Sequence, residues 1–273
     1  MQKFSVLMSV YYKENPQHFD LALESNLIKQ TLKPDEFILI CDGKLTPELD
    51  FIIMKYLLKF PDVLRVYRKE NGGLGKALNF GLLKCSNALI ARSDSDDICV
   101  ENRFEKQLNF FNEHPDISII SSNVDGFISD WNQPTEIKKM PVVHEQMMRM
   151  AKSRNPINHM AAMFRKDIIL KAGSYRHVPY CEDYDLWMRA VLIGARLANI
   201  DEVLVHARVS GVLQRRGAVQ AIKGRHILYS TMLKHGMINI FTYLKNMAGI
   251  TLYVLMPLCF KEYVYNNLLR REK

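Results

Sequence analysis

Apolar runs of strand length alternate with segments of helical period through the first half of this chain, and that alternation leaves few architectures open. Phe4–Val10 reads as a strand, and His18–Gln30 as a helix with Leu21, Leu23, Leu27 and Ile28 largely on one face. Glu36–Cys41, Val63–Arg68, Ala88–Ala91 and Ile117–Val124 read as further strands, and Pro47–Lys59, Leu74–Cys85 and Arg103–Asn112 as helices. Continuously apolar strands joined by helices predict a largely parallel sheet covered on both faces, a doubly wound α/β domain of nucleotide-binding type. Beyond residue 125 the pattern loosens. Gly126–Pro141 reads as a long polar loop, Lys166–Ala172 and Glu182–Ile193 as helices, and Val203–Val209 as a last strand.

Ligands of such sheets bind beyond the carboxyl ends of the strands. Tyr11 follows the first strand, Asp42 the second, and Asp94 and Asp96 the fourth, so all can face one crevice. The stretch Ser93-Asp94-Ser95-Asp96-Asp97 crowds three carboxylates into four residues. Oxygen ligands at a strand end suit a hard divalent cation, which in turn could hold a diphosphate. The same acids also suit a turn that caps the next helix. Glu182-Asp183-Tyr184-Asp185 is a second acidic cluster, opening a helix. Acids there are favoured by the helix dipole. Paired with a cation site, such a cluster could also remove a proton from an incoming hydroxyl.

Other motifs carry less. Asn71-Gly-Gly-Leu-Gly-Lys-Ala-Leu-Asn79 is no phosphate-binding P-loop, because Glu70 and Ala77 occupy the required Gly and Ser/Thr positions. A glycine-rich helix start can present N–H groups to a ligand or serve as a plain turn. His144-Glu145 lacks the second histidine of a zinc motif, and His159, beside an apolar run, fits a hydrogen-bonded structural role. No G-x-S-x-G elbow supports serine nucleophile chemistry.

The net charge of +8 is unevenly placed. Residues 207–273 hold eleven Lys or Arg against Glu262 and Glu272, while the preceding residues are nearly neutral. This tail is not a solvated basic block of the kind that binds nucleic acid, because it contains the apolar run Ile238–Phe260. Its longest uncharged part, Asn246–Phe260, is short of the ~20 residues needed to span a bilayer. It reads as a basic interfacial element on an anionic membrane surface, or as a helix pair packed on the domain. Five cysteines without a C-x-x-C pair predict reduced thiols. The absence of a signal-peptide pattern predicts a cytoplasmic protein, peripheral on the inner face of the membrane.

Taken in order, Val10-Tyr11, Cys41-Asp42-Gly43, Gly72-Gly-Leu-Gly-Lys-Ala-Leu-Asn79, Asp94-Ser-Asp-Asp97 and Glu182-Asp183 resemble the family 2 glycosyltransferases of GT-A fold, from about residue 3 to 217. Cys41-Asp-Gly-Lys-Leu-Thr46 and Glu182-Asp-Tyr-Asp-Leu-Trp-Met-Arg189 are similar to bacterial O-antigen, capsule and exopolysaccharide enzymes, including amylovoran-type and β-1,3-galactosyltransferase relatives. The resemblance implies a GT-A-like doubly wound, mixed, mostly parallel sheet in a catalytic domain of residues 1–217. A basic, apolar, membrane-associating helical region would occupy 218–273. Tyr11 and Asp42 would hold the uracil and ribose of a UDP-sugar, and Asp94 the ribose or donor sugar. Asp96 would bind Mn²⁺ or Mg²⁺, and Asp183 would be the base. Glu14, Lys76, Asn79, His159, Glu182 and Arg208 would complete the substrate-binding set. The implied reaction is inverting transfer of one hexose, galactose or another, to an undecaprenyl-diphosphate-linked saccharide. The sequence departs from the family where Cys41 replaces the first acid of Asp-Asp-Gly, and where Ser9-Val-Tyr-Tyr12 stands for Pro-x-Tyr-Asn. Gln214-Arg-Arg-Gly217 lacks the Trp of processive synthases, which implies single-residue transfer. Paired carboxylates also occur in glycosidases, but those need no nucleotide-type sheet. The alternative is a non-catalytic nucleotide-sugar- or lipid-binding subunit, which acceptor-dependent release of UDP would exclude.

Overall fold

The computed structural model describes residues 2–209 and 219–257. In chain order the elements are β1 (Phe4–Val10), α1 (Pro16–Leu27), β2 (Glu36–Asp42), α2 (Pro47–Lys59), β3 (Leu64–Lys69), α3 (Leu74–Lys84), β4 (Leu89–Ser93), β5 (Ile98–Cys99), α4 (Arg103–Glu113), β6 (Ile119–Phe127), β7 (Glu136–Lys138), α5 (His144–Met150), β8 (Met163–Arg165), α6 (Lys166–Lys171), α7 (Glu182–Leu192), β9 (Leu197–Arg208), α8 (Gln220–Lys234) and α9 (Ile240–Leu255). A short 3₁₀ turn spans His159–Ala161. Among the described residues the strands form one sheet in the order β3-β2-β1-β4-β8-β6-β9-β5, with β7 on β6. The longest pairings, β1 with β2 and β4, β2 with β3, and β6 with β9, are parallel. The short strands β5, β7 and β8 pair antiparallel.

Successive side chains of a strand point to opposite faces, and both faces here are covered. Val6 and Met8 of β1, with Phe37 and Leu39 of β2, pack against α1, α2 and α4 on one side. Leu7, Ile38, Ile40 and Ile90 pack on the other, with α3, α7 and residues of α8. β1, β2 and β4 are therefore apolar on both sides, which is why their runs read as continuous. Register then fixes the site. Val10 lies opposite Cys41, Met8 opposite Ser93, and Cys41 opposite Arg68, so β1 to β4 end at one edge.

Three expectations need correcting. The first helix begins at Pro16, because Asn15 caps it by accepting from the Gln17 and His18 N–H groups. The expected loop at Gly126–Pro141 carries a short strand: β6 runs on to Phe127 and β7 returns with Gly126 opposite Glu136, which leaves 128–135 and 139–141 as loop. The last strand begins at Leu197 rather than Val203. Its polar start hid it, although Asn199 is buried and donates to the Pro141 and Pro156 carbonyls.

The expected boundary after residue 217 falls within 210–218, outside the described residues, as do Gln214–Gly217 and Cys259. Cys41, Cys85, Cys99 and Cys181 are buried and free. Past that boundary, Leu228, Tyr229 and Met232 of α8 and the following Ile238 join the core. By contrast α9 buries only Val254 and exposes Ile240, Phe241, Leu244, Leu252 and Leu255. Among the described residues no helix is long and apolar enough to cross a membrane.

Gly224 shows how tightly α8 is seated. A Cβ there would lie 1.9 Å from the Pro179 carbonyl oxygen, so only glycine admits this approach. Gly224→Ala is expected to destabilise the protein by about 1–3 kcal/mol through overpacking. Each kcal/mol should lower the thermal midpoint by about 2–4 °C. A Cβ at Gly249, within α9, would meet nothing within 4 Å. Gly249→Ala is expected to raise the midpoint slightly, since alanine favours helix. A thermal melt that placed both changes on the same side would contradict this packing.

Candidate active site

The first acidic cluster sits just past β4. Arg92, fully buried in that strand, pairs with Asp94. Asp97 is buried, and its Oδ1 accepts from the Arg208 N–H at 2.8 Å. Burial, then the charges of Asp96 and Asp94, push the Asp97 carboxyl well above the usual carboxylate range. The Asp96 carbonyl accepts from Arg208 Nε at 3.4 Å, and the Asp96 side chain is half-buried. Arg208 also donates to the Ile128 carbonyl and stacks 4.5 Å over Phe127. Glu14 accepts from Ser95 Oγ at 2.5 Å, tying the loop after β1 to the acidic loop. Asp94 and Asp97 thus meet an arginine side chain and an arginine backbone N–H, and Asp96 also lies in the field of Arg208. Among the described residues no group of three or more His, Cys, Asp or Glu is arranged to hold a metal. One half-buried carboxylate fits a cation that takes most of its other ligands from a diphosphate and water.

At the end of β2, Asp42 is 3% exposed and its carboxylate is fully engaged. Oδ1 accepts from Lys69 Nζ at 2.7 Å and from the Gly72 N–H at 2.9 Å, and Oδ2 from the Gly73 N–H at 2.8 Å. Asn71 Nδ2 donates to its carbonyl at 2.9 Å. Asp42 therefore shapes the loop before α3, where Gly73 takes φ +86°, a conformation glycine adopts without strain. Lys76 is exposed at the start of α3. Tyr11 and Tyr12 are 44% and 51% exposed and stand edge to face. Asn79 acts as a brace: its Nδ2 donates to the Tyr175 carbonyl at 2.6 Å and its Oδ1 accepts from the Tyr175 N–H at 2.8 Å.

The second acidic cluster opens α7. Asp183 accepts from Asn155 Nδ2 at 2.6 Å. Burial pushes its carboxyl up, opposed by the Tyr184 N–H, Asn155 and the charge of Arg225. Burial also raises Glu182, which faces Gly75 at the start of α3. His159 meets the Tyr175 hydroxyl at 2.9 Å and the Trp187 ring edge-on. Burial and then Arg92 hold its imidazole well below the usual range, so it is neutral at pH 7. Tyr175 joins the two clusters. Its phenol is raised first by burial, opposed by the charge of Arg92, and raised further by the charges of Asp183 and Asp94.

The arrangement thus gathers Tyr11, Glu14, Asp42, Asp94, Asp96 and Arg208 along one sheet edge, and His159, Glu182 and Asp183 beside them. A side cavity of about 220 Å³, lined by Trp131, His206 and Lys29, contains none of these residues. Sequence reasoning missed Arg92, Asn155 and Arg225. Arg92 had left a signal, a charge inside an apolar strand. Asn155 and Arg225 left none, because their roles arise only where separate segments meet.

The family model for Glycosyl transferase family 2 matches residues 5–170. The amylovoran biosynthesis glycosyltransferase AmsE of Erwinia amylovora is 39% identical over 231 residues, covering 84% of this chain and 85% of that protein. The UDP-Gal:alpha-D-GlcNAc-diphosphoundecaprenol beta-1,3-galactosyltransferase of Escherichia coli is 36% identical over 274 residues, covering 98% and 97%. Among solved structures, S. aureus TarS in complex with UDP-GlcNAc superposes with a TM-score of 0.68 at 17% identity, covering 97% of this chain and 79% of that one. That likeness is one of fold. The chain belongs to glycosyl transferase family 2 and is a glycosyltransferase.

Proposed function

We propose that the protein transfers one hexose from a UDP-sugar, with inversion, to a hydroxyl of a saccharide carried on undecaprenyl diphosphate, in bacterial surface polysaccharide synthesis. The observation that supports this reading is an acidic cluster at the carboxyl end of β4, level with the ends of β1 and β2, together with a second carboxylate, Asp183, held by Asn155 at the head of α7. The names of the E. coli relative, a UDP-Gal-dependent enzyme acting on a diphosphoundecaprenol, and of the amylovoran enzyme support the substrate class.

Asp183 takes the proton of the acceptor hydroxyl. That oxygen attacks the anomeric carbon from the face opposite UDP, and one displacement inverts the centre. Burial raises the proton affinity of Asp183, which suits a base working near neutral pH. Asn155 fixes its orientation. Tyr11 and the loop built on Asp42 would hold the nucleoside, Glu14, Asp94 and Arg208 would frame the donor, and Lys76, exposed at the start of α3, would meet its phosphates. Asn79, Glu182 and His159 hold the Tyr175 side of the cleft. Asp96 would hold Mn²⁺ or Mg²⁺, which when bound supplies positive charge to the departing diphosphate.

We place the enzyme on the cytoplasmic face of the membrane. The exposed apolar side chains of α9, with Phe241 78% exposed, and the basic tail support docking on anionic lipid. One experiment tests the whole reading. A panel of UDP-sugars is offered with an undecaprenyl-diphosphate saccharide in anionic or neutral vesicles, UDP is measured, and the product linkage is read by NMR. Acceptor-dependent UDP release, one product of inverted anomeric configuration and faster turnover on anionic vesicles are expected. Release of UDP without a glycosidic product, or none with any donor, would overturn the reading.

A further inference from the structure

Asp183 and a neighbouring cation both lie beyond the region matched by the family model. We infer that Arg225, carried on α8 against the residue that follows Asp183, is a positioning residue for Asp183 and its counter-charge. This rests on the assignment of Asp183 as base.

The geometry is tight. The Arg225 guanidinium lies 5.5 Å from the ring centre of Tyr184, the residue after Asp183, and 6.0 Å from that of Tyr229. Seating of Gly224 on the Pro179 carbonyl fixes the depth of α8 at this point. Tyr184 and Tyr229 then donate to the Ala151 and Ser153 carbonyls at 2.5 and 2.9 Å. Those two residues begin the turn that delivers Asn155 to Asp183. One cage thus holds the base, its amide partner and the arginine.

The guanidinium also meets the Tyr229 hydroxyl, which ties α8 to itself but leaves part of the group over. Its buried Nη1 has no hydrogen-bond partner among the described residues. The other groups around Asp183 leave it as the positive member. Glu182, on the same helix, is the nearby acid and faces His177. Asp185 is turned into an ion pair with Arg189. The Cys181 thiol is pushed up to about 11, and burial raises the Tyr175, Tyr184 and Tyr229 phenols, so all four are neutral near pH 7. Asn155 is uncharged. A cation beside a buried carboxylate favours its ionised form, and here Arg225 opposes the effect of burial.

The test compares kcat/KM against pH for the full chain and for Arg225→Lys, Arg225→Met and Arg225→Gln, with Asp183→Asn in parallel. Loss of the cation is expected to move the acidic limb of the Met and Gln variants upward by about one pH unit. Below the limb their activity should then fall about tenfold against wild type, with a smaller change on the plateau. Arg225→Lys is expected to keep the limb in place. A folded Met or Gln variant with an unmoved limb overturns the inference while leaving Asp183 as base. If both neutral variants fail to fold while Lys folds, Arg225 belongs to stability alone and the inference also falls. If Asp183→Asn keeps wild-type turnover, the base assignment fails first and takes this inference with it.

Discussion

Asp183→Asn is expected to lower turnover by about 10²–10⁴-fold, the range supplied by a positioned general base, while UDP binding stays within a few-fold of wild type. The amide keeps the size of the side chain and can still accept from Asn155, so the cleft keeps its shape. It cannot take a proton. A general loss of structure is excluded by a second expectation. Because burial raises the folded-state pKa of Asp183, the folded protein holds this proton more tightly than the unfolded chain. Stability then declines as pH rises between the two pKa values. Removing the carboxylate removes that decline while leaving Arg225 without its counter-charge, so the variant should stay folded and its melting point should vary less with pH than that of wild type. The same shift sets the pH profile. Wild-type activity should fall as pH drops through the raised pKa, and residual activity of the variant should lack that limb. A variant with more than half of wild-type turnover would take Asp183 out of the mechanism.

The parts of the fold that were legible in the sequence are those where local chemistry and tertiary environment agree. β1, β2 and β4 are buried on both faces, so their apolar runs are uninterrupted, and register alone carries Tyr11, Asp42 and Asp94 to one edge. β7 and the start of β9 were not legible, because β7 borders solvent and Asn199, Asp201 and Glu202 break the apolar pattern. The acidic residues announced themselves by clustering, but their division of labour did not. Asp42 spends its carboxylate on Lys69 and two backbone N–H groups, and Asn79 spends its amide on Tyr175. Both shape loops that frame the cleft. The cage around Asp183 draws on residues 151–155, 182–184 and 224–229, segments distant in sequence whose contacts no local spacing encodes. The tail divides in the same way. α8 supplies Leu228, Tyr229 and Met232 to the core, whereas α9 exposes most of its apolar side chains.

Exhaustive chelation is expected to abolish turnover, with Mn²⁺ or Mg²⁺ restoring it, and Asp96→Ala is expected to lose activity that added metal does not restore. The three carboxylates of the cluster differ in their surroundings. Asp94 is committed to the buried Arg92. Asp97 is 4% exposed and turned onto the Arg208 N–H. Asp96 lies half-buried between them, on the loop tied down by Ser95 and Glu14. One protein carboxylate plus substrate phosphates is an ordinary ligand set for Mg²⁺, so the cation should bind with the donor and weakly without it. Calorimetry should therefore show UDP binding strengthened by Mn²⁺ in the wild type and indifferent to it in Asp96→Ala. Asp97→Asn provides the contrast. Its Oδ1 can still accept from Arg208, so it should retain metal-strengthened UDP binding. Equal loss from both substitutions would assign the cluster to loop structure. Turnover unchanged after chelation would remove Asp96 as a ligand and leave the departing diphosphate to the protein's own cations, Arg208 and Lys76 first among those assigned to the donor.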